Sequence, residues 1–189
     1  PAPYGSEKYA SDIWTYAYEN LGTNGDFDFN DVVIRETINA NGSETKAELM
    51  AAGCNYKTEL IFSYKGYDQT ICEVHEAFGL KANDEGLYSM VNTEANGIRK
   101  NPVDLGVFDT NFGYFKIKVY LPDGEIKTYS HYDKVGENGD VPTALIISGN
   151  WQWPLEKTNV FEAYPLIGKW AKDRDDTGHW FTQPKPGSV

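Results

Sequence analysis

Along the chain, short runs of β-branched and aromatic residues recur between clusters of Gly, Asn and Asp, and this alternation predicts strands rather than helices. Strands are expected near Ile13–Glu19, Val32–Ile38, Ala47–Ala52, Glu59–Tyr64, Ile71–His75, Tyr114–Leu121, Ile126–Tyr129 and Ala144–Ile147. Asn41-Gly42, Lys65-Gly66 and Pro122-Asp123-Gly124 punctuate them, and the last has the composition of a hairpin turn. Strands at this spacing point to an all-β fold, a β-sandwich or jelly-roll-like architecture. Helical spacing is confined to a short C-terminal segment, Thr158–Ala171, where Val160, Phe161, Tyr164, Ile167 and Trp170 recur and Pro165 interrupts. Residues 79–112 carry few periodic signals and read as a long excursion from the sheet. The tail Gln183–Val189, with Pro184 and Pro186, is expected to fray. Neither a repeat nor a linker divides the chain, so residues 1–189 are expected to form a single domain.

Charge narrows the partners. With 17 Lys and Arg against 28 Asp and Glu, the net charge of −11 is spread along the chain and no basic stripe offsets it. Such a field repels phosphate backbones, so nucleic acid is not an expected partner, whereas divalent cations are compatible with it. No apolar run approaches the ~20 residues that span a bilayer. Pro1-Ala2-Pro3 reads as a trimmed start. Cys54 and Cys72 are too few for a disulfide framework and lack metal-site spacing, and a hairpin register places them too far apart to bridge.

The most informative segment is Tyr18–Ile34, YENLGTNGDFDFNDVVI, in which Asp26, Asp28 and Asn30 stand at alternate positions with Asp31 immediately after. Oxygen-bearing side chains spaced this way in a tight loop can converge on a hard cation such as Ca2+, which takes six to eight oxygen ligands. Phe27 and Phe29 alternate with the acids and can anchor the loop from the other side. An EF-hand is rejected: the sixth position is Asp31 rather than Gly, the twelfth is Thr37 rather than Glu, and no helix flanks the loop. What remains is either a calcium loop of another architecture or a solvated turn whose carboxylates cap backbone amides. The expected ligands are Asp26, Asp28 and Asp31, with Asn30 and Glu19 beside them and carbonyls of the Thr23–Gly25 turn completing the shell.

The stretch GDFDFNDVV resembles the signature of the LruC-type domain, a bacterial domain of unknown function from surface-exposed or lipid-anchored proteins. Further motifs carry the resemblance along most of the chain: Tyr18-Glu19-Asn20-Leu21-Gly22, Ala51-Ala52-Gly53, Glu73-Val74-His75-Glu76 with Phe78-Gly79, Met90-Val91-Asn92-Thr93, and the closing Asn150-Trp151-Gln152-Trp153-Pro154-Leu155-Glu156, Ala163-Tyr164-Pro165, Trp170-Ala171 and Trp180-Phe181. Asn20 stands where an Asp is common and Cys54 where a second Gly is common. The resemblance implies a β-sandwich-like fold and an extracytoplasmic location, at the cell surface, as an outer-membrane lipoprotein or secreted. It supplies no molecular activity.

Two other groups invite chemistry. Glu73 and His75 would share one face of a strand, but no H-E-x-x-H or equivalent spacing supplies a zinc site, so His75 is expected to be structural, near the acidic loop. Nucleophile elbows and phosphate loops are absent, and catalytic residues are not expected. Trp151, Trp153, Trp170, Trp180 and Phe181 either form a stacking platform for sugars or pack as core. The sequence therefore leads to a calcium-binding, non-catalytic module that meets a protein or glycan partner near the cell surface. A carbohydrate-binding module is the alternative.

Overall fold

Ten antiparallel strands among the described residues form two sheets, in a computed structural model that describes residues 12–21, 25–38, 44–92, 100–110, 112–133, 142–173 and 179–189. The first sheet has the order β10-β1-β2-β3-β6, where β10 is Ala144–Ser148, β1 Ile13–Tyr18, β2 Val32–Ile38, β3 Thr45–Ala52 and β6 Val91–Asn92. A sixth strand, β7 (Val103–Phe108), pairs with the first half of β3, while β6 pairs with its last residues. The second sheet runs β5-β4-β8-β9, with β5 Tyr67–Glu73, β4 Thr58–Tyr64, β8 Gly113–Tyr120 and β9 Ile126–Ser130. The mostly β fold read from the alternation is therefore present, and so are the hairpin turns at Lys65-Gly66 and at Pro122-Asp123-Gly124.

The first sheet is covered on both faces. Toward the second sheet it presents Ile34, Ala47 and Leu49, which meet Leu60, Phe115 and Ile117. Its other face presents Ala17, Val33, Leu145 and Ile147 to a C-terminal layer built around Trp151, Trp153, Trp170 and Trp180. Double-sided burial explains the unbroken apolar runs Val32-Val33-Ile34 and Leu145-Ile146-Ile147, since successive side chains point to opposite faces and both faces are dry. The tryptophans are core: each is no more than 3% exposed, and the Trp153 indole donates to Asn92 Oδ1 at 3.1 Å.

The C-terminal helical segment is present and Pro165 interrupts it, leaving α2 (Val160–Ala163) and α3 (Ile167–Lys172), because Pro165 drives Tyr164 out of the helical region to φ −127°, ψ 80°. Other expectations are corrected. Residues 79–112 are not simply an excursion, since β6 and β7 return to the sheet; Gly106 and a register shift within the β3–β7 pairing blur the alternation there. The strand expected at Ile71–His75 ends at Glu73, whose side chain caps a helical turn, α1 (Val74–Ala77), so Glu73 and His75 do not share a strand face. Both cysteines are free. The tail is docked rather than frayed: the Leu155 amide donates to the Ser188 carbonyl at 2.9 Å, the Lys185 amide donates to Ala163 at 2.7 Å, and Val189 packs on the tryptophan layer.

Removing Lys185–Val189 takes away these bonds and uncovers that layer. The truncated protein is expected to lose about 2 kcal/mol, read as a melting temperature several degrees lower. An unchanged melting temperature would show that the tail only rests on the surface.

Candidate metal centre

Three elements meet around the acidic loop. The end of β1 delivers Glu19, the loop into β2 delivers Asp26, Asp28 and Asp31, and the turn before α2 delivers Glu156 and Lys157. They line a pocket of about 360 Å³ together with Gly53, Cys54 and Tyr56. One carboxylate oxygen from each of Glu19, Asp26 and Asp28 lies within 4.8 Å of the other two. Oxygens on opposite sides of a calcium ion, at ligand distances of about 2.3–2.6 Å, are separated by about that much. Glu19 and Asp28 are each 1% exposed, whereas Asp26 faces solvent.

The alternation of acids and phenylalanines comes from an unusual backbone, not from a strand. Phe27 and Phe29 both adopt left-handed conformations, at φ 58° and 53°. For a non-glycine residue each costs on the order of 1–3 kcal/mol, so the surroundings must enforce them. The Phe29 ring is fully buried in the tryptophan layer, Phe27 packs against that layer, and the Phe27 carbonyl accepts from the Val160 amide at 2.7 Å. The Lys157 amide donates to Asp28 Oδ2 at 2.7 Å, and Asn30 Nδ2 donates both to Asp28 Oδ2 at 2.9 Å and to Glu156 Oε2 at 3.1 Å. The C-terminal layer thus grips the loop through backbone, side chain and ring.

Two glycines permit the close packing. A Cβ at Gly25 would lie 2.0 Å from Glu19 Oε1, and one at Gly53 would lie 2.0 Å from Asn30 Oδ1. The Gly53 amide in turn donates to the carbonyls of Asn30 and Asp31, at 3.0 and 3.1 Å. Asn30 therefore turns its amide nitrogen to Asp28 and Glu156 and its oxygen toward Gly53, where it has no hydrogen-bond partner among the described residues. Asp31 lines the pocket, and its Oδ2 accepts from the Asn20 amide at 2.7 Å. Most of the Thr23–Gly25 turn lies outside the described residues. Glu156 was not legible from the loop, because it comes from the far end of the chain.

Electrostatically the pocket is one-sided. Burial, then the charges of Asp31, Asp28 and Asp26, hold the Glu19 carboxyl far above the ordinary carboxylate range. Burial and the Asp26 charge push Asp28 up to about 8, against the Lys157 amide, which pulls it down. Asp31 is raised by burial as well, and Glu156 also. Carboxyls in this state hold either protons or a cation.

His75 braces the pocket from behind. It is fully buried, stacked on Tyr88 at 4.5 Å between ring centres, with Nδ1 2.7 Å from Glu73 Oε1 and Nε2 2.7 Å from the Cys54 carbonyl. Both nitrogens face acceptors. It anchors Cys54, next to the Gly53 that holds Asn30. Although Cys54 Sγ is 3.7 Å from His75 Nε2, burial pushes the thiol strongly up, the opposite of nucleophile activation.

A family model described as a domain of unknown function (DUF4842) matches residues 119–181, which include Glu156 and Lys157. Neither a curated protein nor a solved structure gives a significant match.

Acids with raised folded-state pKa values bind protons that the unfolded chain releases. The metal-free protein should therefore lose stability as pH rises from about 4 through about 8, the interval set by Asp28, and a bound cation should remove that loss. The difference in melting temperature with and without calcium should accordingly widen between pH about 5 and about 8; a constant difference would contradict this electrostatic account. Gly53→Ala, which forces Asn30 aside, should cost about 2 kcal/mol and weaken any cation bound at the loop.

Proposed function

We propose that the pocket of Glu19, Asp26 and Asp28 binds one calcium ion, with Asp31 and Glu156 close enough to join the shell directly or through water. The observation that carries this reading is a fully buried Glu19 whose side chain meets only the acid Asp31, and whose Oε2 has no hydrogen-bond partner among the described residues, converging with two other carboxylates. A buried acid without a donor is expensive, and a hard cation satisfies it. Because these donors are all oxygen, zinc and copper are disfavoured against calcium. The ion would tie the end of β1 to a loop already held by the C-terminal layer, which is a structural clamp across the whole fold.

On this reading the chain is a calcium-stabilised, non-catalytic module of a bacterial cell-surface or secreted protein, acting in adhesion, interaction or assembly. Its resemblance to LruC-type domains and its acidity support that setting, since calcium is plentiful outside cells and weak sites suffice there. A sugar platform made of the tryptophans is not favoured, because all four in the C-terminal layer are buried.

Calorimetric titration of chelator-stripped protein with calcium should show one site, with a dissociation constant between about 1 µM and about 1 mM. Calcium at a hundredfold excess over that constant should add about 2.7 kcal/mol to stability. Glu19→Gln should abolish most of the binding, yet its metal-free form should melt no lower than metal-free wild type, since a neutral amide replaces a carboxyl that burial already keeps protonated. The reading fails if neither heat nor stabilisation accompanies calcium, or if the metal-free variant is strongly destabilised.

A further inference from the structure

At the other end of β1 a second cleft opens between the two sheets. Trp14 and Tyr16 from β1, Glu36 and Ile38 from β2, Tyr114 from β8, and His131 and Tyr132 after β9 line about 280 Å³. The rings form a continuous wall: Tyr114 stands edge-on to His131 and Tyr132, with centres at 5.6 and 4.8 Å, and Tyr16 is edge-on to His131 at 6.2 Å. Tyr132 is 55% exposed and forms an open side.

At the bottom of this aromatic cleft lies a carboxylate. Glu36 is 2% exposed, and Trp14 is its cross-strand neighbour. Tyr16 bonds to its side chain, while Oε1 has no hydrogen-bond partner among the described residues. Burial pushes the carboxyl up to about 7. His131 is kept neutral by its own burial, so it brings no positive charge to the acid. A buried acceptor of this kind needs a reason, and packing does not require one: a Gln or Leu would fill β2 as well.

We infer that this cleft binds an organic ammonium group, an alkylamine head that keeps at least one N–H, such as the end of a lysine side chain presented by a partner. The ammonium donates to Glu36 Oε1 and neutralises it, while the Tyr and Trp rings surround its charged carbon neighbours, as aromatic boxes do for cations. Ionised, Glu36 Oε1 accepts and does not donate, and a ligand that only donates holds it in that form better than a sugar hydroxyl network does. The protein's net charge of −11 adds long-range attraction for a cation. This site is separate from the acidic loop and stands whether or not that loop holds calcium.

The test is an NMR titration of the full chain, in saturating calcium, with butylammonium chloride and with n-butanol as the neutral isostere. Butylammonium should shift the resonances of Trp14, Tyr114 and Tyr132 saturably, with a dissociation constant on the order of millimolar, and butanol should not. Glu36→Gln, isosteric and expected to fold, should weaken binding about tenfold or more; Tyr132→Leu, at an exposed position, should weaken it several-fold. Equal binding of butanol, retention of butylammonium by Glu36→Gln, or shifts with methyl glycosides but none with the amine would each overturn the assignment. Absence of any shift would overturn it too.

Discussion

Glu19, Asp28 and Asp31 are buried around one pocket, and every charged neighbour that raises the Glu19 carboxyl is itself an acid. Keeping them together demands a backbone held against its own preference, which the left-handed Phe27 and Phe29 display. The hold comes from the opposite end of the chain, through Val160, Lys157 and Glu156. Much of the architecture follows from that need. The C-terminal layer covers the first sheet and delivers amides and rings to the loop.

The same logic accounts for the small residues around the pocket. Gly25 and Gly53 leave no side chain where Glu19 and Asn30 press closest. The register shift between β2 and β3, at Val33/Ile34, lies just before Gly53 and re-aims the end of β3 toward the loop. His75 then fixes the next residue, Cys54, by its carbonyl. A continuous set of contacts thus runs from the helical turn after β5 to the acids, through residues that make no claim on a ligand themselves.

Strands were readable from the sequence both where one dry face sets an alternation, as in β8, and where a β-branched run is buried on both faces, as in β2. β7 was hidden, because three of its six residues are polar, small or exposed and Gly106 breaks its pairing. The docked tail was missed because its bonds are backbone to backbone, which leave no mark on side-chain type. Three loop acids, with Glu19 before them, were legible, since short-range spacing carried them. Glu156 and its bond to Asn30 were not, for that contact spans most of the chain. The aromatic cleft around Glu36 gave no signal at all, because its walls come from four strands or their ends.

β1, near the start of the chain, lies between β2 and β10 and pairs with the latter from Trp14↔Ser148 to Tyr18↔Ala144. Its partner β10 and its covering layer both lie far along the chain from it. Until residues beyond 144 are available, one edge of β1 and the apolar face carrying Ala17 and Val33 have nothing to close them. Contacts of such sequence separation slow folding, and an open edge beside an apolar face invites other chains. Closure of β1 therefore waits on β10 and the C-terminal layer, and anything that shortens that wait acts as a folding aid as well as a stabiliser.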